Sequence, residues 1–109
     1  MADVGLSATS RRGVISAVSK GASLIVEERE RQIGQEGWNA NHDDAHGNGE
    51  LVDAAICYAL AYTSRATNRR WRWPWEGRWW KPSDRKRNLV KAGALIAAEI
   101  DRLQREEKE

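Results

Sequence analysis

Three stretches of the chain place apolar residues three or four positions apart, the period of an amphipathic helix. The first runs from Gly13 to about Gly34 and carries Val14, Val18, Ala22, Ile25, Val26 and Ile33 on one stripe. Gly21 weakens it by about 1 kcal/mol relative to alanine, and Gly34 and Gly37 are natural stop signals. The second runs from about Gly49 to Arg65, with Leu51, Ala54, Ala55, Tyr58, Ala61 and Tyr62 as its apolar face; its many alanines allow close helix approach. The third begins behind a cap at Ser83 or Asp84 and ends near Arg105. Leu89, Ala92, Gly93, Ile96, Ile100 and Leu103 form its inward stripe, Leu95 widens it, and Lys91 and Glu99 fall outside it. No stretch alternates with the strand period. The pattern predicts an all-α fold, a small three-helix domain with two long irregular loops.

Those loops hold most of the distinctive residues. Trp38 to Gly49, WNANHDDAHGNG, reads as a loop because Asn, Asp and Gly favour turns. The stretch from Asn68 to Pro82 cannot be a regular helix, since Pro74 and Gly77 interrupt it and Pro82 closes it. Residues 1–12 read as a flexible tail and 13–109 as a single domain, the number that 109 residues suggest. No run approaches the ~20 apolar residues that span a bilayer. The opening MADVGLSATSRRGV lacks the basic-then-apolar order of a signal peptide. The expectation is a cytoplasmic protein with no membrane partner. The one cysteine, Cys57, allows neither an internal disulfide nor a Cys-based zinc site within one chain, and its setting in AAICYALA reads as buried filler.

Composition changes this picture in two ways. The chain has six Trp, two Tyr and no Phe, and five of the Trp fall between 71 and 80, so the aromatic content is concentrated in one connection. The net charge of +2 conceals a division. From Val26 to Asp53 eight acids face two bases, a balance of −6; from Arg65 to Lys91 ten bases face two acids, a balance of +8. The two halves could pair with each other or attract different partners.

Three clusters could carry chemistry. In the first, Trp faces interleave with Arg and Lys between Arg65 and Lys91. Indoles stack on nucleobases at roughly 1–3 kcal/mol per base, and guanidinium and ammonium groups pair with phosphates. The same segment could instead be a hydrophobic plug over the bundle, with Arg stacked on exposed Trp faces. A mixed arrangement would bury Trp73 and Trp75 and turn Trp79, Trp80 and Lys81 toward a ligand. The residues expected to bind are Trp75, Arg78, Trp79, Trp80, Lys81 and Arg85, with Trp38 and His42 from the facing loop. In the second cluster, His42, Asp43, Asp44 and His46 are candidate ligands for a divalent metal. The bland alternative is local turn formation and capping. In the third, Glu27 and Glu28 on the first helix and Glu50 and Asp53 on the second could hold Mg²⁺ against phosphates, or simply form a solvated face.

Two resemblances bear on these clusters. The acidic set is similar to the all-α nucleotide pyrophosphohydrolases related to MazG, which carry E-E-x-x-E on one helix and E-x-x-D on the next. Glu50-Leu51-Val52-Asp53 matches the second motif, while Arg31 stands where the first requires its third acid. That resemblance implies a Mg²⁺-dependent enzyme. From Val26 to Arg105, the E-G-W at 36–38, the H-D-D at 42–44 and the W-P-W…W-W-K-P resemble a family of small phage- and prophage-encoded proteins. That family implies an accessory role such as countering host defence. The leading expectation is a binder rather than a catalyst, needing no cofactor and sequestering a nucleotide-like immune signal. The pyrophosphohydrolase is the first alternative, and an inhibitor that binds a host protein or nucleic acid is the second. Spare apolar surface suggests a homo-oligomer.

Overall fold

The computed structural model describes residues 18–63 and 72–108; the expected tail, the first helix as far as residue 17 and the stretch 64–71 lie outside them. Helix α1 spans Lys20–Gln35, α2 Ala40–Asp44, α3 Glu50–Leu60 and α4 Arg85–Glu107, with one 3-10 turn at Gly77–Trp79. The described residues are helical with no strand. Serine, asparagine and aspartate cap three of the helices: Ser19 accepts from the Ala22 N–H, Asn39 from the His42 N–H and Asp84 from the Arg87 N–H. Asp84, not Ser83, is therefore the cap of the last helix.

Helix α4 is the central element, and α1, α2 and α3 all pack on it. Its junction with α3 is alanine-rich: Ala54, Ala55, Ala92 and Ala98 close around Leu51, Tyr58 and Leu95. Small side chains let the two backbones approach, so this contact excludes water without large aliphatic groups. At the junction with α1 the space is tighter still. A Cβ on Gly93 would lie 2.5 Å from Cδ1 of Ile25.

The close approach explains where the expected stripes were misplaced. On α4 the buried residues are Asn88, Val90, Ala92, Ala94, Leu95, Ala98 and Arg102, whereas Leu89, Ile96, Ile100 and Leu103 are exposed. Lys91 and Glu99, expected outside, are half-buried. Besides Val90 and Leu95, the helix turns mainly alanines inward and leaves Leu89, Ile96, Ile100 and Leu103 outside. Helix α1 departs further. Val18, Val26 and Ile33 are exposed, and its buried positions are Glu28 and Gln32, at 1% and 2% exposure. Helix α3 ends at Leu60 rather than Arg65, because Ala61 is extended and Tyr62 takes a φ of 64°. Tyr62 consequently projects into solvent, while Cys57 is buried as expected.

The Trp38–Gly49 connection is not wholly irregular, since Asn39 starts the five-residue α2 within it. The way in is set by Gly37, whose φ of +76° reverses the chain after Glu36. The Trp38 N–H then donates back to the Gln32 carbonyl at 3.0 Å.

Candidate functional site

The tryptophan segment is held to the bundle at three points. The Tyr58 hydroxyl accepts from the Lys81 N–H at 3.3 Å, and the Lys91 ammonium donates to the Lys81 carbonyl at 2.7 Å. Asn88, fully buried, closes a two-bond ring on Ser83: it accepts from the Ser83 N–H at 2.7 Å and donates to the Ser83 carbonyl at 3.1 Å. These bonds satisfy backbone groups that the proline-broken segment cannot satisfy itself.

With its end fixed, the segment lays its indoles against the core. Trp38, Trp73, Trp75 and Trp80 are partly buried there, while Trp79 is 46% exposed. The rings form a connected series. Trp38 stacks on His42 with centroids 5.4 Å apart and planes 5° from parallel. His42 meets His46 edge-on at 4.8 Å, and His46 meets Trp75 at 5.3 Å. Trp75 meets Trp73, which in turn contacts Trp80 and Tyr58. The Trp73 indole N–H donates to the Glu76 carbonyl, which fixes its ring. Plug and platform thus coexist: Trp80 and Tyr58 belong to the plug, and the other rings border a cavity of about 520 Å³ lined by Glu36, Trp38, His42, His46, Trp73, Pro74, Trp75, Glu76 and Trp79.

A narrower cleft of about 60 Å³ adjoins it, sharing Glu36, Trp38 and Trp79 and adding Glu28, Arg31, Gln32, Tyr58, Lys81, Lys91 and Leu95. Its floor is a charge network. Arg31 donates twice to Glu28, at 2.8 and 2.9 Å, and once to Glu36 at 3.2 Å; Arg87 also donates to Glu28. Burial works to raise the Glu28 carboxyl. The Arg31 bonds and charge, the Arg87 charge and the Gln32 amide outweigh burial and hold it below the ordinary carboxylate range. Burial and the Arg87 charge push the Lys91 ammonium down. The Gln32 amide N–H is committed to Glu28, and its Oε1 has no hydrogen-bond partner among the described residues.

Of the eight residues expected to bind a ligand, Trp38, His42, Trp75 and Trp79 line the large cavity, and Lys81 lines the cleft. Trp80 packs on Tyr58 at 4.7 Å. Arg78 pairs with Glu76 and lies 5.3 Å from the Trp79 ring centre, lining neither space, and Arg85 stands exposed on the first turn of α4. His46, Trp73, Glu36 and Glu76 were not among the eight. For His46 a signal existed: its spacing of four from His42 suits one helical turn, and although α2 ends at Asp44 the turn that follows keeps the two rings 4.8 Å apart.

The H-D-D carboxylates are tied into the scaffold. Asp43, buried, accepts from Arg29 at 2.6 Å and meets the His42 ring at 2.9 Å, and Asp44 accepts from Arg105 at 2.8 Å. One aspartate thus pins α2 to α1 and the other pins it to α4. The four acids of the pyrophosphohydrolase motif are dispersed: Glu27 is exposed, Glu28 is held by Arg31 and Arg87, Glu50 accepts from the Asn48 N–H, and Asp53 lies 3.7 Å from Arg72. Among the described residues no group of three or more His, Cys, Asp or Glu side chains could hold a metal ion. Nor is any described helix long and apolar enough to cross a membrane. The chain matches no family model, no curated protein and no solved structure.

Proposed function

We propose that the protein binds a nucleotide or nucleotide-derived molecule, with the base among Trp38, Trp75, Trp79 and His42 and a phosphate toward Lys81, Lys91 and Arg31. The supporting observation is that an aromatic cavity and a cation-bearing cleft lie side by side and share Glu36, Trp38 and Trp79 in their walls. Aromatic walls accept a planar ring by stacking, and the cations complement a phosphate despite the neighbouring Glu28 and Glu36.

In this reading the molecule acts by holding its ligand rather than by transforming it. Its biological setting is the one suggested by the resemblance to phage-encoded proteins: a cytoplasmic accessory factor that sequesters a host immune signal. Calorimetry with cyclic, linear and ADP-ribose-type nucleotides tests it. Binding should weaken about tenfold in Lys81→Ala/Lys91→Ala, while the corresponding nucleosides bind both proteins alike. Absence of binding by every nucleotide at millimolar concentration would sink the reading.

A further inference from the structure

The large cavity has a charge preference that its aromatic walls alone do not disclose. Among the described residues, the charged side chains lining it are Glu36 and Glu76; no arginine or lysine lines it. Each acid has a basic partner, but both partners stand elsewhere. Arg31, 3.2 Å from Glu36, borders the adjoining cleft, and Arg78, 3.1 Å from Glu76, borders neither space. Arg31 also gives its two shortest bonds to Glu28, so Glu36 holds only a share of that charge. Among the described residues, the carboxylates in the lining itself are therefore not matched by a cation in that lining.

The walls have the same polarity. An aromatic ring presents a negative face, and a cation over it gains about 0.5–1 kcal/mol when exposed and about 2 when desolvated. The protein already uses this attraction at the rim, where the Arg78 guanidinium and the Lys81 ammonium lie 5.3 and 5.7 Å from the centre of the Trp79 ring. Trp38, Trp73 and Trp75 border the same space as Trp79. A compact ammonium would lose too much hydration on entering. A cation whose charge is spread over a ring or shielded by methyl groups would lose little.

We infer that the cavity is a cage for a weakly hydrated organic monocation, recognised by indole faces and by Glu36 and Glu76. Two sources share that chemistry: an N-alkylated, positively charged purine and a quaternary ammonium head group. In the purine form the inference rests on the nucleotide reading and specifies its base. In the ammonium form it uses the same cavity without any phosphate.

Paired probes separate these cases, with binding followed by tryptophan emission and calorimetry. Choline is compared with dimethylbutanol, its uncharged isostere, and N7-methylguanosine monophosphate with guanosine monophosphate. The charged member of at least one pair should bind about tenfold tighter or better. Glu36→Gln/Glu76→Gln should shrink that ratio toward one while leaving the circular dichroism unchanged. Preference in the purine pair alone identifies the base as the source, and preference in the choline pair alone identifies the head group. Equal or weaker binding of the charged member in both pairs overturns the inference, as does a ratio that is undiminished in the double variant. Failure of the nucleotide reading has a separate signature: nucleotides binding no tighter than nucleosides, whatever choline does.

Discussion

Glu28 is a carboxylate at a position where an amphipathic helix would carry an aliphatic side chain. Its burial is supported by two bonds from Arg31, one from Gln32 and one from Arg87. Removing one member of such a group leaves the others desolvated and unpaired. Glu28→Gln should therefore lower stability by about 1–3 kcal/mol in urea titrations at neutral pH. The pH dependence has a definite sign. The folded-state carboxyl titrates below the ordinary value of a glutamate. Its contribution is full above that value and is lost as pH falls through the depressed folded value. The wild type should then destabilise more steeply than Glu28→Gln on acidification, and equal slopes would show that the charge contributes nothing.

Helices were legible in the sequence to different depths. For α3, the stripe from Leu51 to Tyr58 is the buried face, since alanine and leucine at helical spacing have one economical arrangement. For α1 and α4, the presence of helices was readable but their orientation only in part: Ile25, Ala92, Gly93 and Leu95 lie at the contacts as the stripes expect. Hydrophobicity also points Val26, Ile33, Ile96 and Ile100 inward, yet these are exposed, and Glu28 and Gln32 are buried instead. Periodicity records which residues share a face; it does not record that ion pairs can make a polar face the buried one. In the tryptophan segment the breaks at Pro74 and Gly77 were readable. Its anchor was not, because Asn88 is one polar residue in a long helix and nothing local marks it. Asn88→Ala should leave the Ser83 amide and carbonyl unsatisfied, cost about 1–3 kcal/mol and shift tryptophan emission to the red. Unchanged emission would mean that the segment is held from elsewhere.

The whole molecule presents apolar surface that its own core does not use. Leu89, Ile96, Ile100 and Leu103 recur on one exposed face of α4, and Val26 and Ile33 on α1 are exposed, as is Val18 just before it. A second copy of the chain is the proposed cover, since self-complementary pairing is the commonest way to bury such a face. Ile96→Glu with Ile100→Glu should move the sedimenting species toward monomer while preserving the circular dichroism; a wild type that is already monomeric at micromolar concentration removes this proposal. One further property concerns α2. Five residues cannot sustain a helix alone, so the position of His42 and His46 depends on the two aspartates that fasten α2. The tethers differ: Arg29–Asp43 is largely shielded from solvent, while Arg105–Asp44 lies open to it. Salt screens exposed pairs far more than buried ones. Raising ionic strength should thus loosen one tether and spare the other, leaving the imidazole wall hinged at Asp43. Even an uncharged ligand that touches no ion would then be released by salt.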